Sequence, residues 1–495
     1  MVGRRRRPGK QPRVRFAEPP LSQEDAEWRE LDEQIPTNHP ARTMVRGIEH
    51  LDLAPLRDSY TASGSPPYRP ELMLAIVLIE LQQGHRSPAR WCRQARENLV
   101  LRWAGQGIRP SRSVWYEFRE RVGPLLDAWN QQVLHGAVAA GQTTAYRAAV
   151  DGTSVEANAS RQRLVNQERL EKRQGELAAA RRADAQNQAP GHVPAWMAKT
   201  PPTRRLQEER YACAAEHLLR LLAVNQQRSP HERRPSEKVV VSVSDPEAAL
   251  GLDKVKVFRP LYNAQLLCDL DSPLILGYEV FAQSTDAATL GPMLARTAWL
   301  TGVRLREVLG DAGYVTGGEL AACQAAAVTL FGPWKENDLP TSPAAKSVKL
   351  FSKDEFQWLP EEQTYRCPQG HKLSYVGREQ RRRSGERMET LFRYRCAPQL
   401  CRACPLVTRC TTSLANGRML RRSEHEELID QHRARMQTPA AKELYKLRRQ
   451  TVELGFADLK EHRRLRRFSR RGLTSVRSEL ALAVLAHNLR CLVPP

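Results

Sequence analysis

The spacing of apolar residues divides the chain into segments of different kinds. From Tyr68 to about Gly141 they recur at helical intervals. Pro70 opens a helix predicted over residues 71–83, and Gly84 ends it. A second helix is predicted from Ser87-Pro88 to Asn98. A third, behind Ser111 or Ser113, carries Trp115, Phe118, Val122, Leu125 and Leu126. Residues 143–155 turn strand-like. Glu156 to about Leu222 is polar and helical, broken around Pro190 to Pro202, and reads as a charged helical hairpin inserted into something else. Strand patterns return at 238–243, 261–268 and 274–281. A helix is predicted over 286–300, with Ser284, Thr285 and Asp286 as N-cap candidates. A strand at 304–309, a helix at 318–326 and a strand at 328–331 follow. This order predicts an α/β fold with a mixed sheet. Residues 335–425 read as short strands and basic turns, and two helices, about 439–467 and 475–489, close the pattern.

Composition narrows the partner. Of 495 residues, 41% are apolar, enough to bury a core and to exclude a wholly disordered chain. The 77 Lys and Arg exceed the 55 Asp and Glu by 22, which points to a polyanion. Aromatics at 6% argue against a protein built to stack single-stranded bases. The most apolar run, Leu72 to Leu81, is about half a membrane span and contains Glu80. No apolar stretch follows the basic Arg4 to Arg7, so a cytoplasmic protein without membrane contact is expected. Residues 1 to about 40 read as a Pro- and Arg-rich arm, either a plain tail or a grip on DNA. The helices with Arg90, Arg93, Arg96, Arg112, Arg119 and Arg121 fit a helix-turn-helix-like DNA binder or a packing module.

Chemistry on a phosphate backbone needs carboxylates from separate segments that hold divalent metals. Asp151 lies on or just past the first strand, and Asp311 directly follows a later one. Were those strands parallel neighbours, both acids would project from one end of the sheet. Alone, each is a weak signal, since an Asp before Gly or Ala-Gly is usually a turn residue. Glu453 lies on a basic helix where Arg449, Glu453, Phe456 and Lys460 share a face. Its bland alternative is an ion pair with Arg449. Asp245 and Asp286 read as a turn residue and a helix cap.

Asp151 in VDGTSVEANAS, Asp311 in GDAGY and Glu453 in RRQTVELGFADLK resemble the DDE transposases of bacterial insertion sequences. YRPELMLAIVLIELQQG, SDPEA, YNAQ and RGL extend the likeness over about 69–489. The resemblance implies a ribonuclease-H-like core, a helical N-terminal domain and cysteine-rich material before the last acid. It divides the chain into a basic arm and linker (1–65), a helical DNA-binding domain (66–142), and a catalytic core (143–335) with a helical insertion (156–237). A cysteine-rich insertion (336–425) and C-terminal helices completing the core (426–495) follow. Asp151, Asp311 and Glu453 become the triad holding Mg²⁺ or Mn²⁺. The implied activity is cleavage of element ends and their joining to target double-stranded DNA, by a homodimer or larger assembly. A non-catalytic DNA-binding descendant and a metal-dependent nuclease are the alternatives. Related transposases carry a Tyr, Arg, Glu, Lys signature. Arg449, Glu453 and Lys460 match it, whereas Lys446 stands at the Tyr position with Tyr445 one residue off. Arg449 and Lys460 would hold phosphates, and Arg463, Arg464, Arg466, Arg467, Arg470 and Arg471 would extend the grip.

Five cysteines fall between Cys367 and Cys410. Cys401-x2-Cys404 has the spacing of a zinc knuckle. A structural Zn²⁺ on Cys367, Cys401, Cys404 and Cys410, with Cys396 and His371 in reserve, would stabilise an insertion with little core of its own. Packed thiols and an iron–sulfur cluster are the other readings.

Overall fold

A computed structural model describes residues 14–62, 64–228, 230–253, 256–334, 350–382 and 388–492. It opens on helices α1 (Ala26–Gln34), α2 (Pro40–Glu49), α3 (Ala54–Asp58), α4 (Pro70–Gln82), α5 (Pro88–Glu97), α6 (Leu99–Ala104), α7 (Arg112–Val122) and α8 (Leu126–Ala139). Local chemistry sets their ends. Pro70 and Pro88 take first positions, where no N–H is needed. The Ser111 hydroxyl accepts from the Val114 N–H. Gly84, at φ +73°, closes α4. Residues 73–81 of α4 are buried on every side, so this helix is interior and not amphipathic.

The expected arm and linker is shorter than the sequence reading placed it. Met44, Ile48 and Leu56 are buried in the same core as α4, so α1 to α3 belong to the helical body. The basic start of the arm, residues 1–13, lies outside the described residues.

The chain then enters β1 (Arg147–Glu156) and leaves for an excursion. This comprises β2 (Leu164–Val165), α9 (Gln167–Ala185), α10 (Pro201–Gln226) and β3 (Val241–Ser242). The excursion has its own small core, including Leu170, Leu177, Tyr211 and Leu218. Next come β4 (Ala249–Leu252), β5 (Phe258–Asp269), β6 (Ile275–Phe281), α11 (Leu290–Thr301), β7 (Glu307–Leu309), α12 (Gly317–Ala325) and β8 (Thr329–Phe331). These strands form a mixed sheet in the order β4-β5-β1-β7-β8, with β6 sharing an edge of β5. β5 is antiparallel to β1 and β6 to β5, while β7 and β8 add in parallel.

The cysteine-rich region holds a second sheet. It is built from β9 (Gln357–Leu359), β10 (Thr364–Arg366), β11 (Lys372–Arg382) and β12 (Met388–Cys396). Short helices α13 (Pro398–Arg402) and α14 (Val407–Cys410) precede β13 (Met419–Ser423), which completes it. Trp358, Tyr365 and Tyr394 pack ring against ring inside, with centroids 4.8–5.5 Å apart. The expectation of little core is therefore corrected: aromatic side chains fill this module.

Helices α15 (Glu426–Gln437), α16 (Pro439–Ala457) and α17 (Leu473–Cys491) return to the first sheet. On α17 the Asn488 side chain accepts from the Ile275 N–H and donates to the Ile275 carbonyl, both at 2.9 Å, and so pairs with β6 as a strand would. Asp458 begins a π-helical turn (Asp458–His462) behind α16. Its carboxylate accepts from Arg463 Nε at 2.7 Å and His487 Nδ1 at 2.8 Å. His487 Nε2 donates to the Pro273 carbonyl at 2.9 Å. Burial opposes a charge on His487, yet its bonds to Asp458 and Cys491 hold its pKa up at about 9. Burial also works against the Asp458 carboxylate, but His487 and Arg463 keep it well below the usual range. No helix among the described residues is long and apolar enough to cross a membrane.

Candidate active site

β1 carries Asp151 in the middle of the mixed sheet. Ala149 pairs with Leu309 in the parallel β1–β7 ladder, so Asp151 and Asp311 each stand two residues further along. Asp311 thus lies just past the carboxyl end of β7, and Asp151 lies mid-strand in β1, just past the stretch that pairs with β7. Asp311 sits in a tight turn, where its carboxylate accepts from the Gly313 N–H at 2.7 Å. The turn reading of this residue and its place beside Asp151 thus hold together. Burial raises the pKa of Asp151, Arg448 and the Gly152 N–H lower it, and Asp311 and Asp286 raise it further.

Glu453 is not gathered in. Its side chain is 57% exposed and pairs with Arg449 at 3.7 Å. Among the described residues, no three His, Cys, Asp or Glu side chains are arranged to hold a metal ion. From α16, Arg448 turns toward the acids, and its guanidinium lies 3.4 Å from Asp151. Tyr445 is within electrostatic reach of Arg448, Asp311 and Asp151, and burial raises its pKa. Tyr445, Arg449, Glu453 and Phe456 follow one another at steps of four, four and three and so share one flank of α16, of which Tyr445 reaches the acids. Lys460, on the π-helical turn, donates to the Thr153 hydroxyl two residues beyond Asp151.

The other face of β1 hides a polar network. Gly152 opposes Gln265 in the ladder. A Cβ at Gly152 would stand 2.1 Å from both Asp286 Oδ1 and Gln265 Nε2. Gly152→Ala should therefore cost about 1–3 kcal/mol of stability through overpacking. A thermal melt checks this, and an unchanged midpoint would contradict it. Asp286 is not the helix cap expected from sequence. α11 begins at Leu290, and Asp286 turns its carboxylate to Asn263 and Gln265 at 2.9 and 2.6 Å. Asp245 is buried and accepts from the Tyr262 hydroxyl at 2.7 Å and the Gly472 N–H at 3.0 Å. SDPEA, YNAQ and RGL thus meet in one clasp, to which Glu247 adds a bond from the Leu473 N–H at 2.7 Å.

The basic segment divides. Arg464, Arg466, Arg467 and Arg471 are exposed. Arg463 is corrected to an interior residue: it is wholly buried on Asp458 and Gln82. Arg470 faces inward too and pairs with Glu120. Arg86 ties α4's end to this segment, donating to the Arg464 and Arg467 carbonyls at 2.8 and 2.9 Å.

Cys367, Cys396, Cys401, Cys404 and Cys410 do gather at one end of the second sheet. Cys396 and Cys401 are core residues there, and burial pushes the Cys396 thiol up to about 12 and Cys410 to about 11. His371 gives its carbonyl to the Cys367 N–H at 2.8 Å. With no metal-holding group among the described residues, zinc on Cys367, Cys401, Cys404 and Cys410 gains no support here.

Residues 366–493 match the model of the Transposase DDE domain, and residues 29–121 match that of the Transposase domain (DUF772). Together the two matches indicate an insertion-sequence DDE transposase. The DDE-domain match includes Glu453 and strands β11 to β13 of the second sheet, while Asp151 and Asp311 lie before it. No curated protein and no solved structure matches the chain.

Proposed function

We propose that this protein cuts the ends of an insertion element and joins them to target DNA by metal-assisted phosphoryl transfer at Asp151, Asp311 and Glu453. The observation that carries the reading is the pair of carboxylates that stand at matching positions, each two residues past the last pair of the parallel β1–β7 ladder. The strand arrangement, a three-stranded antiparallel meander extended by two parallel strands, supports a ribonuclease-H-like core. The donor chemistry suits Mg²⁺ or Mn²⁺, because Mg²⁺ takes oxygen ligands and usually few from the protein. Asp151 and Asp311 would hold it, and Glu453 would join from the flank of α16. Releasing Glu453 from Arg449 costs little, since such an exposed pair is worth about 0–1 kcal/mol. A bound divalent ion supplies Lewis-acid stabilisation of the phosphoryl oxygens and a stronger nucleophile. Arg448 keeps the Asp151 carboxylate partly neutralised. Arg449 and Lys460 hold phosphates near the acids, and Arg464, Arg466, Arg467 and Arg471 extend the grip along double-stranded DNA.

The test is a joining assay. A plasmid carrying this coding segment with its flanking DNA is incubated with the protein, Mg²⁺ and a target plasmid. Joined product is expected. Cut ends without joined product would leave a nuclease, and neither product would leave a DNA-binding protein.

A further inference from the structure

We propose that Gln265 is a positioning residue that sets the spacing of Asp151 and Asp311. The proposal rests on the reading that these acids form the cutting centre. Gln265 is wholly buried in β5, opposite the glycine that follows Asp151. Its amide bonds in both directions. The oxygen accepts from the Tyr314 hydroxyl. The nitrogen donates to Asp286 Oδ1 at 2.6 Å and to Asn263 Oδ1 at 3.0 Å. Asn263 in turn donates to Asp286 Oδ1 at 2.9 Å and to the Thr285 carbonyl at 2.8 Å.

Tyr314 links this chain of bonds to the second acid. Its own N–H donates to the Asp311 carbonyl at 3.1 Å and closes the Asp311 turn. Its ring is buried, and its hydroxyl pKa is raised by burial first, then by Asp286 and Asp151. One side chain therefore joins the Asp311 turn to β5, the strand paired with the one that holds Asp151. Asp286 braces it from behind, across a gap that only glycine at 152 leaves open. A glutamine suits this place because it can donate and accept at once. Glutamate would lose the donor and set a second carboxylate against Asp286.

An ordinary buried polar network would affect stability alone. A positioning network also governs the metal requirement and the rate, because a misplacement of about 1 Å can cost about 10²-fold. The experiment compares Tyr314→Phe and Gln265→Glu with the unaltered full chain. Each is measured for cleavage rate on the plasmid above, Mn²⁺ concentration at half-maximal cleavage, DNA affinity and thermal midpoint. The expected result is DNA affinity within about twofold, and cleavage slowed about tenfold in Tyr314→Phe and about a hundredfold in Gln265→Glu. The Mn²⁺ requirement should rise in both, and excess Mn²⁺ should partly restore Tyr314→Phe. Cleavage and Mn²⁺ requirement within about twofold of the unaltered chain in both variants would overturn the proposal. So would losses of cleavage that merely track a falling midpoint and DNA affinity. Asp151→Ala, run alongside, separates the two readings. Cleavage retained there removes the cutting centre itself. Cleavage lost there but intact in both network variants overturns only the role of Gln265.

Discussion

Asp151→Ala is expected to reduce DNA cleavage by about 10³-fold or more, with DNA affinity unchanged or slightly higher. Asp151 is the acid that β1 presents beside the Asp311 turn. Removing it takes a metal ligand from the proposed site. It takes nothing from the exposed arginines that would carry phosphate contacts, and it removes one negative charge from their neighbourhood. Unfolding should not confuse the result. Burial already works against the Asp151 charge, and Arg448, 15% exposed, can turn toward solvent once released. Plasmid cleavage and a gel-shift titration on the same preparation check both halves. Persisting cleavage would remove Asp151 from the site.

The largest loss of stability is expected from Asp458→Ala. It would leave the wholly buried Arg463 and the charged His487 without their shared carboxylate. Breaking a buried pair by deleting one partner costs about 3–5 kcal/mol. The pair also has a pH signature. The folded pKa of His487, about 9, lies above the ordinary histidine value of about 6.5. Its contribution is therefore complete below about pH 6.5 and is lost as pH rises through about 9. Asp458, held low, keeps its charge throughout that window. Urea titrations at pH 6, 7.5 and 9 should show the difference between the unaltered chain and Asp458→Ala shrinking with pH. A constant difference would refute the assignment of the charge to His487.

Much of the fold was legible because its signals are local. Pro70, Pro88 and Ser111 mark helix starts, and these three helices begin within a residue or two of the expected positions. What escaped the sequence depends on which way side chains face. Arg463 and Arg470 look like their exposed neighbours in a run of cations, and only the return of this segment across α4 and α7 turns them inward. Ser284-Thr285-Asp286 has the composition of a helix start, but the helix begins four residues after Asp286, and a tertiary network takes the carboxylate. Arg448 could have been found. It lies on the stripe of α16 that includes Ala441, Val452 and Gly455, and a charge on a buried stripe calls for a partner. The strands of the second sheet were expected, but its core was not, although Trp358, Tyr365 and Tyr394 are large enough to fill one.

The N-terminal helices and the mixed sheet share a single hydrophobic interior, cross-tied where Asn130 donates to the Ala481 carbonyl at 3.0 Å. Bodies fused in this way have no joint, since any swivel between them would expose apolar surface to water. A duplex held by both must therefore supply the compliance itself. Flexible pyrimidine–purine steps between the two contacts would ease its fit, and stiff A-tracts there would resist it.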